Sequence, residues 1–331
     1  MHNSTNRIVL TGGAGFIGSH LAEALLRRGS QLTIIDSLDN FYSPAWKKAN
    51  LEGIRRLGEC KFLQVDICDF ESVRAALAAV KPDVIVHLAA RAGVRPSIEQ
   101  PRLYEQVNVS GTLNLLEICR QFEIPRFIFG SSSSVYGASS RTPFSEEQVE
   151  IKPISPYAAT KLAGEMLCYT YSHLHGLSVV SLRLFTVYGP RQRPDLAIHK
   201  FFSLLEAGKS IPFFGDGSSG RDYTYVSDIV SGILAALDYA HPVGAALPFD
   251  VFNLGNSRPV SLAELVAALE RVSGRKAILD KQPLQPGDVP LTWASIEKAG
   301  RLLGYKPAMP LEEGLRQFAE WYRSADSTCR L

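Results

Sequence analysis

At 331 residues the chain is long enough for one large domain, or two closely joined ones, around a substantial core. With 46% apolar and 21% charged residues and a net charge of +2, it has no surplus of Lys and Arg for tracking a phosphate backbone, so nucleic acid is not an expected partner. The polar start from Met1 to Arg7 lacks the apolar stretch of a signal peptide, and no later segment approaches membrane-span length, so a cytoplasmic protein with no membrane partner is expected.

Arg7–Thr11 reads as the first strand. It runs into Gly12-Gly13-Ala14-Gly15-Phe16-Ile17-Gly18 and then a helical pattern in which Leu21 and Leu25 continue one apolar face. Gly12 permits the tight turn, Gly15 lets a pyrophosphate approach the backbone, and Gly18 allows close helix packing, while the helix start offers unpaired amides to phosphates. Glycines also serve ordinary turns, but strand, Gly-rich turn and helix together form a dinucleotide fingerprint. The second strand, Gln31–Asp36, ends on an acid placed to accept both ribose hydroxyls and to repel a 2′-phosphate, which favours NAD over NADP. A third strand, Lys61–Val65, leads to Asp66, and a fourth, Asp83–Leu88, leads to Leu88-Ala89-Ala90. These ends are expected to line the adenine and ribose crevice.

A fifth strand, Arg126–Phe129, enters the hydroxyl-rich segment Gly130-Ser131-Ser132-Ser133-Ser134-Val135-Tyr136-Gly137. Ser155-Pro156-Tyr157 then reads as a helix start, with Ser155 as N-cap and Pro156 at the first helical position. Tyr157 and Lys161 are four apart, which puts both on one helix face, where an ammonium can lower a phenol's pKa and reach the nicotinamide ribose. A Tyr and a Lys at this spacing usually mean a solvated face. Following a strand that runs into Ser132, beside the expected nicotinamide, they read instead as a proton acceptor, its tuning cation and a hydroxyl that shares the reacting oxygen.

Ser178–Leu184 is the sixth strand, and Ser227–Tyr239 and Phe252–Gly255 again read as helix and strand. Strands alternating with helices imply an α/β, doubly wound parallel Rossmann sheet, because parallel neighbours need crossovers. Denser Gly and Pro at 215–220 and 282–290 suggest a smaller, interleaved C-terminal substrate lobe. The expected division is a Rossmann domain at 1–188 with about 226–256, and a sugar-binding lobe at 189–225 and 257–331. The five cysteines, Cys60, Cys68, Cys119, Cys168 and Cys329, lack metal or redox spacing and are expected to be reduced and mostly buried. His173 and His175, two apart on a helix, cannot share a metal-binding face, and no metal site is expected.

The Thr-Gly-Gly-Ala-Gly-Phe-Ile-Gly-Ser-His start, His87–Ala90, Ser131–Gly137, Tyr157-to-Lys161 and Arg221-Asp222-Tyr223 resemble the extended short-chain dehydrogenases acting on nucleotide sugars, from Arg7 to about Tyr322. Ala92-Gly93-Val94-Arg95, Leu184–Pro190, Arg193-Pro194-Asp195 and Gln285–Pro290 look most like UDP-glucuronate 4-epimerases. Two departures are Arg191-Gln192, where Trp-Gly is common, and Pro156, where Leu is frequent. The resemblance implies a bound NAD, a UDP-sugar substrate and a homodimer. It implies transient oxidation at C4: Tyr157 takes the hydroxyl proton, a 4-keto sugar forms and turns about its diphosphate, and reduction from the opposite face gives the epimer.

By the same resemblance Asn40, Ile67 and Asn108 join the cofactor contacts, and Arg95, Thr186, Phe213, Arg221 and Asp288 the substrate contacts, with Arg221 on the diphosphate. Related dehydratases carry Asp-Glu, and decarboxylases a Glu, where this chain has Ser133-Ser134. Without those carboxylates, epimerisation is expected. Ser133, Ser134 and Arg193 then offer donors to a sugar carboxylate, although serines in turns often bond only local backbone. UDP-glucose 4-epimerase is the main alternative, followed by UDP-glucuronate decarboxylase, a net dehydrogenase, and a non-catalytic nucleotide-binding protein.

Overall fold

The computed structural model describes residues 6–139, 141–240, 249–283 and 289–325. Its first six strands are β1 (Arg7–Thr11), β2 (Gln31–Ile35), β3 (Cys60–Leu63), β4 (Val84–His87), β5 (Arg126–Ser132) and β6 (Ser178–Leu184). They are followed by β7 (Thr186–Tyr188), β8 (Ser210–Phe214), β9 (Gly220–Tyr225), β10 (Asp250–Leu254), β11 (Pro259–Ser261) and β12 (Ile278–Gln282).

Seven strands form one parallel sheet in the order β10-β6-β5-β4-β1-β2-β3. Helices cover both faces, so the strands are apolar throughout instead of alternating with polar residues. Val9, Ile85 and Phe127 enter one core, while Ile8, Leu10, Val84, Val86 and Ile128 enter the other. The chain moves outward from β1 through β2 to β3, then crosses back to β4 on the other side of β1. This reversal opens a crevice at the carboxyl ends of β1 and β4, where the Rossmann fold binds its ligand. The doubly wound α/β class expected from the alternation is the one observed.

Several strand ends differ from the sequence expectation. β5 runs past Phe129 to Ser132, because Gly130, Ser131 and Ser132 pair in register with Leu182, Arg183 and Leu184 of β6. Ser131 and Ser132 therefore belong to the strand itself and share its rigidity. β2 and β3 end earlier than the apolar runs suggest, which leaves Asp36 and Asp66 in the loops just beyond them.

The Pro156–His175 helix starts where its signals place it, with Ser155 Oγ accepting from the Ala158 amide at 3.2 Å and Pro156 in the first turn. It lies close against β5, because a Cβ on Gly164 would meet the Phe129 ring at 2.5 Å. The second lobe holds the sheet β11-β9-β7 and the parallel pair β12-β8. The Val226–Tyr239 helix and β10 return to the large sheet, so the lobes are interleaved. Thr186–Tyr188 pairs with β9 in the smaller sheet. Among the described residues no helix is long and apolar enough to cross a membrane.

Candidate active site

A cavity of about 520 Å³ opens at the carboxyl ends of the central strands, within the usual size of a small-molecule site. One wall is the turn after β1. Gly12 has φ +72°, and a Cβ there would lie 2.7 Å from the Ala89 amide nitrogen; at Gly18 it would lie 2.1 Å from the Gly12 carbonyl. These positions admit only glycine. The Phe16–Arg27 helix begins with no side chain capping its first amides, so these remain available to an anion.

Asp36 anchors the turn from the next strand. Its carboxylate accepts from the Ala14 amide at 3.1 Å and the Leu38 amide at 2.9 Å. Burial raises its pKa, while these two bonds and the Lys47 charge oppose that rise. Glycines that exclude a side chain, uncapped helix amides and a buried acid beside them fit a dinucleotide. Asp66, Ile67, Leu88, Ala89 and Ala90 complete that wall with Gly15, Phe16 and Ile17. Beneath them His87 is clamped between Thr11 Oγ1 at 2.7 Å and Thr112 Oγ1 at 3.0 Å, and burial holds its pKa at about 3.

Ser132, Ser133, Ser134, Tyr157 and Lys161 line the same cavity, together with Thr186, Arg193 and Arg221. Ser132 Oγ accepts from the Ser134 amide at 3.2 Å and lies 3.1 Å from Ser134 Oγ. Burial raises the Tyr157 pKa, and the Ser132 hydrogen bond and the Arg193 charge pull it back. Lys161 follows Tyr157 by four residues on the same helix and lines the same cavity. Its Nζ donates to the Gly130 carbonyl at 2.7 Å and lies 5.2 Å from the Phe129 ring centroid. Burial pushes its pKa down to about 8, opposed by Cys168 and Glu165.

Four expected contacts stand elsewhere. Asn108 is buried, but its amide is taken up by the Arg91 backbone at 2.8 and 2.9 Å and by Thr160 Oγ1 at 3.0 Å, so it braces the wall from behind. Asn40 is exposed in the loop after β2, outside the lining. Phe213 packs its ring where a Gly217 side chain would lie, and the Arg95 guanidinium stacks over Phe214 at 5.1 Å. Neither Phe213 nor Arg95 is part of the lining. A fifth, Asp288, falls outside the described residues.

Several lining residues carry no sequence signal of their own. Phe41 has two guanidinium groups over its ring, Arg91 at 5.4 Å and Arg193 at 5.3 Å from its centroid. Arg91 also pairs with Asp39 at 2.7 Å, and Lys47 donates to the Asp39 carbonyl at 2.6 Å. Ser37, Asp39, Phe41 and Tyr42 thereby join the cavity wall, an arrangement that depends on residues distant in sequence. Glu165, buried behind Ser131, is detectable in the sequence only as a third member of the helix face that carries Tyr157 and Lys161. Among the described residues there is no cluster of metal-ligating side chains. Cys119 and Cys168 are buried, Cys60 and Cys68 half-buried, and all four are free; Cys329 lies outside the described residues. His173 and His175 are exposed.

The family model for GDP-mannose 4,6-dehydratase matches residues 9–318. A UDP-glucuronate 4-epimerase from Thermodesulfobacterium geofontis is 40% identical over 314 residues, covering 95% of each chain. The crystal structure of a Bacillus cereus UDP-glucuronic acid 4-epimerase with UDP-glucuronic acid and NAD superposes with a TM-score of 0.88 at 37% identity, covering 95% of this chain and 98% of that one. A Thermotoga maritima UDP-glucose 4-epimerase with UDP-glucose gives 0.86 at 32% identity, covering 96% and 98%.

Proposed function

The chain belongs to the GDP-mannose 4,6-dehydratase family, and from that premise we propose that it is an NAD-dependent enzyme interconverting UDP-glucuronate and UDP-galacturonate. The observation that carries this reading is one cavity joining the Gly-rich cradle and Asp36 to Tyr157, Ser132, Ser133, Ser134 and Arg193, with no carboxylate at positions 133 and 134. Gly12, Gly15, Gly18 and Asp36 would hold NAD, which supplies a reversible two-electron acceptor. Lys161 would join them as a donor to the cofactor's ribose. Tyr157 removes the C4 hydroxyl proton and returns it to the epimer, while Ser132 shares the same oxygen. Thr186 and Arg221 contribute to the UDP side.

Arg193 lines the same cavity as Tyr157 and is assigned to the carboxylate of an acidic sugar. The 4-keto intermediate is a β-keto acid, and donors that hold its carboxylate in a polar, non-perpendicular arrangement suppress loss of carbon dioxide. UDP-glucose is the second reading, favoured by one observation: Asp195 already engages the Arg193 fork at 2.9 and 2.7 Å. The two are separated by kcat/KM on both sugars in wild type and in Ser133→Ala, Ser134→Ala and Arg193→Ala. The proposal expects UDP-glucuronate to be preferred and each variant to lose selectively on it. Equal or better use of UDP-glucose, with no selective loss, makes the chain a UDP-glucose 4-epimerase.

Residues 1–185 with 226–256 are assigned to cofactor binding and 186–225 with 257–331 to the sugar. The boundary expected after position 188 moves to before Thr186, because Thr186–Tyr188 pairs within the smaller sheet. A homodimer is supported by Leu113, Met166 and Tyr169, exposed apolar residues on neighbouring helices. Four free cysteines among the described residues accord with a cytoplasmic location.

A further inference from the structure

Behind the serines of β5 lies a buried ion pair that the chemistry above does not use. Glu165 follows Lys161 by four residues on the Pro156–His175 helix, so the two share a face. It has 0% exposure, and its partner Arg183 on β6 has 3%. Glu165 Oε1 accepts from Ser131 Oγ at 2.5 Å and from Arg183 Nε at 3.0 Å, and Oε2 accepts from Arg183 Nη2 at 2.8 Å. The guanidinium also lies 4.8 Å from the centroid of Tyr136, which follows the serine turn and donates its hydroxyl to Asn253 on β10 at 2.8 Å.

We propose that Glu165 is a positioning residue that fixes Ser132 relative to Tyr157 and Lys161, by tying Ser131 of β5 and Arg183 of β6 to the helix that carries the phenol. This deepens the reading given under Proposed function and rests on it. Stability alone is a weak reason for such a pair, because apolar residues of similar volume commonly replace buried ion pairs without loss. What an apolar filling does not reproduce is the directional bond to Ser131. That bond joins the strand end to the helix one residue from Ser132, and misplacement of a reacting group by about 1 Å costs up to about a hundredfold in rate. Glu165 also opposes, alongside Cys168, the burial that depresses the Lys161 pKa.

The test compares wild type, Ser131→Ala and the double variant Glu165→Leu/Arg183→Met, each by thermal melting, NAD content after denaturation, kcat and KM on UDP-glucuronate, and crystal structure. The double variant separates packing from positioning, since it refills the site without the bond. The proposal expects melting temperature and KM near wild type in the double variant, kcat lower by about ten- to a hundredfold in both proteins, and a Ser132–Tyr157 separation changed by about 0.5 Å or more. Recovery of wild-type kcat in the stable double variant overturns the proposal, as does an unchanged separation. If the double variant fails to fold, Ser131→Ala decides by the same kcat and separation criteria. Failure of the functional reading is distinct: wild type turns over neither UDP-sugar, while the crystallographic separation still decides the role of Glu165.

Discussion

Tyr157 is the residue on which the chemistry converges, and its surroundings set the terms of its work. Burial raises the pKa of the phenol, and the hydrogen bond with Ser132 and the charge of Arg193 oppose that rise. Tyr157→Phe removes the proton acceptor and little contact area. It is expected to lower kcat by about two to four decades, with UDP-sugar affinity measured by calorimetry nearly unchanged. Turnover near wild type in a folded variant would assign the base elsewhere. At this scale the sequence is informative where a motif has a local cause: Gly12, Gly18, Asp36, Ser132 and Tyr157 are required by a turn, a strand end or a helix start. It is silent on Phe41 and Arg91, which meet only after β2, β4 and the loop before Ala197 have been assembled. Asn108 has the polarity of a ligand contact but uses it on the Arg91 backbone, a distinction that only packing reveals.

At the scale of elements, helix starts and strand ends place the site. Ser155 caps the helix two residues before Tyr157, so Ser155→Ala is expected to cost about 1 kcal/mol in unfolding free energy, measured by urea denaturation. No loss would show that Pro156 and packing alone fix this end. The strands of the large sheet are legible in the sequence because strands buried on both faces form continuous apolar runs. Their ends are less legible, since apolar content does not stop where pairing stops. β5 extends through Gly130, Ser131 and Ser132 because β6 lies beside it, a long-range pairing invisible to local hydrophobicity. The smaller lobe is harder still: β7 and β11 span three residues each, too short for a periodic pattern.

For the whole molecule, acid sensitivity follows from three histidines that burial holds neutral, His20 among them at about 4. Burial holds His87 at about 3 and His199 at about 4, below the ordinary value of 6.5. As pH falls through 6.5 the unfolded chain takes up protons first, so stability drops and the loss levels off near the folded pKa values; each site contributes about 2 kcal/mol between pH 7 and pH 5. Asp36 and Asp222, whose pKa values are raised, act in the opposite sense, so the signal is read as a difference. His199 stacks on Trp46 at 5.3 Å, and His199→Phe is expected to retain that packing while losing about 2 kcal/mol of the acid dependence in denaturation at the two pH values. An unchanged dependence would mean His199 is not held neutral. The central claim, epimerisation through removal and return of the same hydrogen, is tested most directly with UDP-glucuronate deuterated at C4 and no added cofactor. The account predicts UDP-galacturonate that retains deuterium at C4, without accumulated reduced cofactor or UDP-pentose; loss of the label to solvent, or UDP-pentose as the main product, would contradict it.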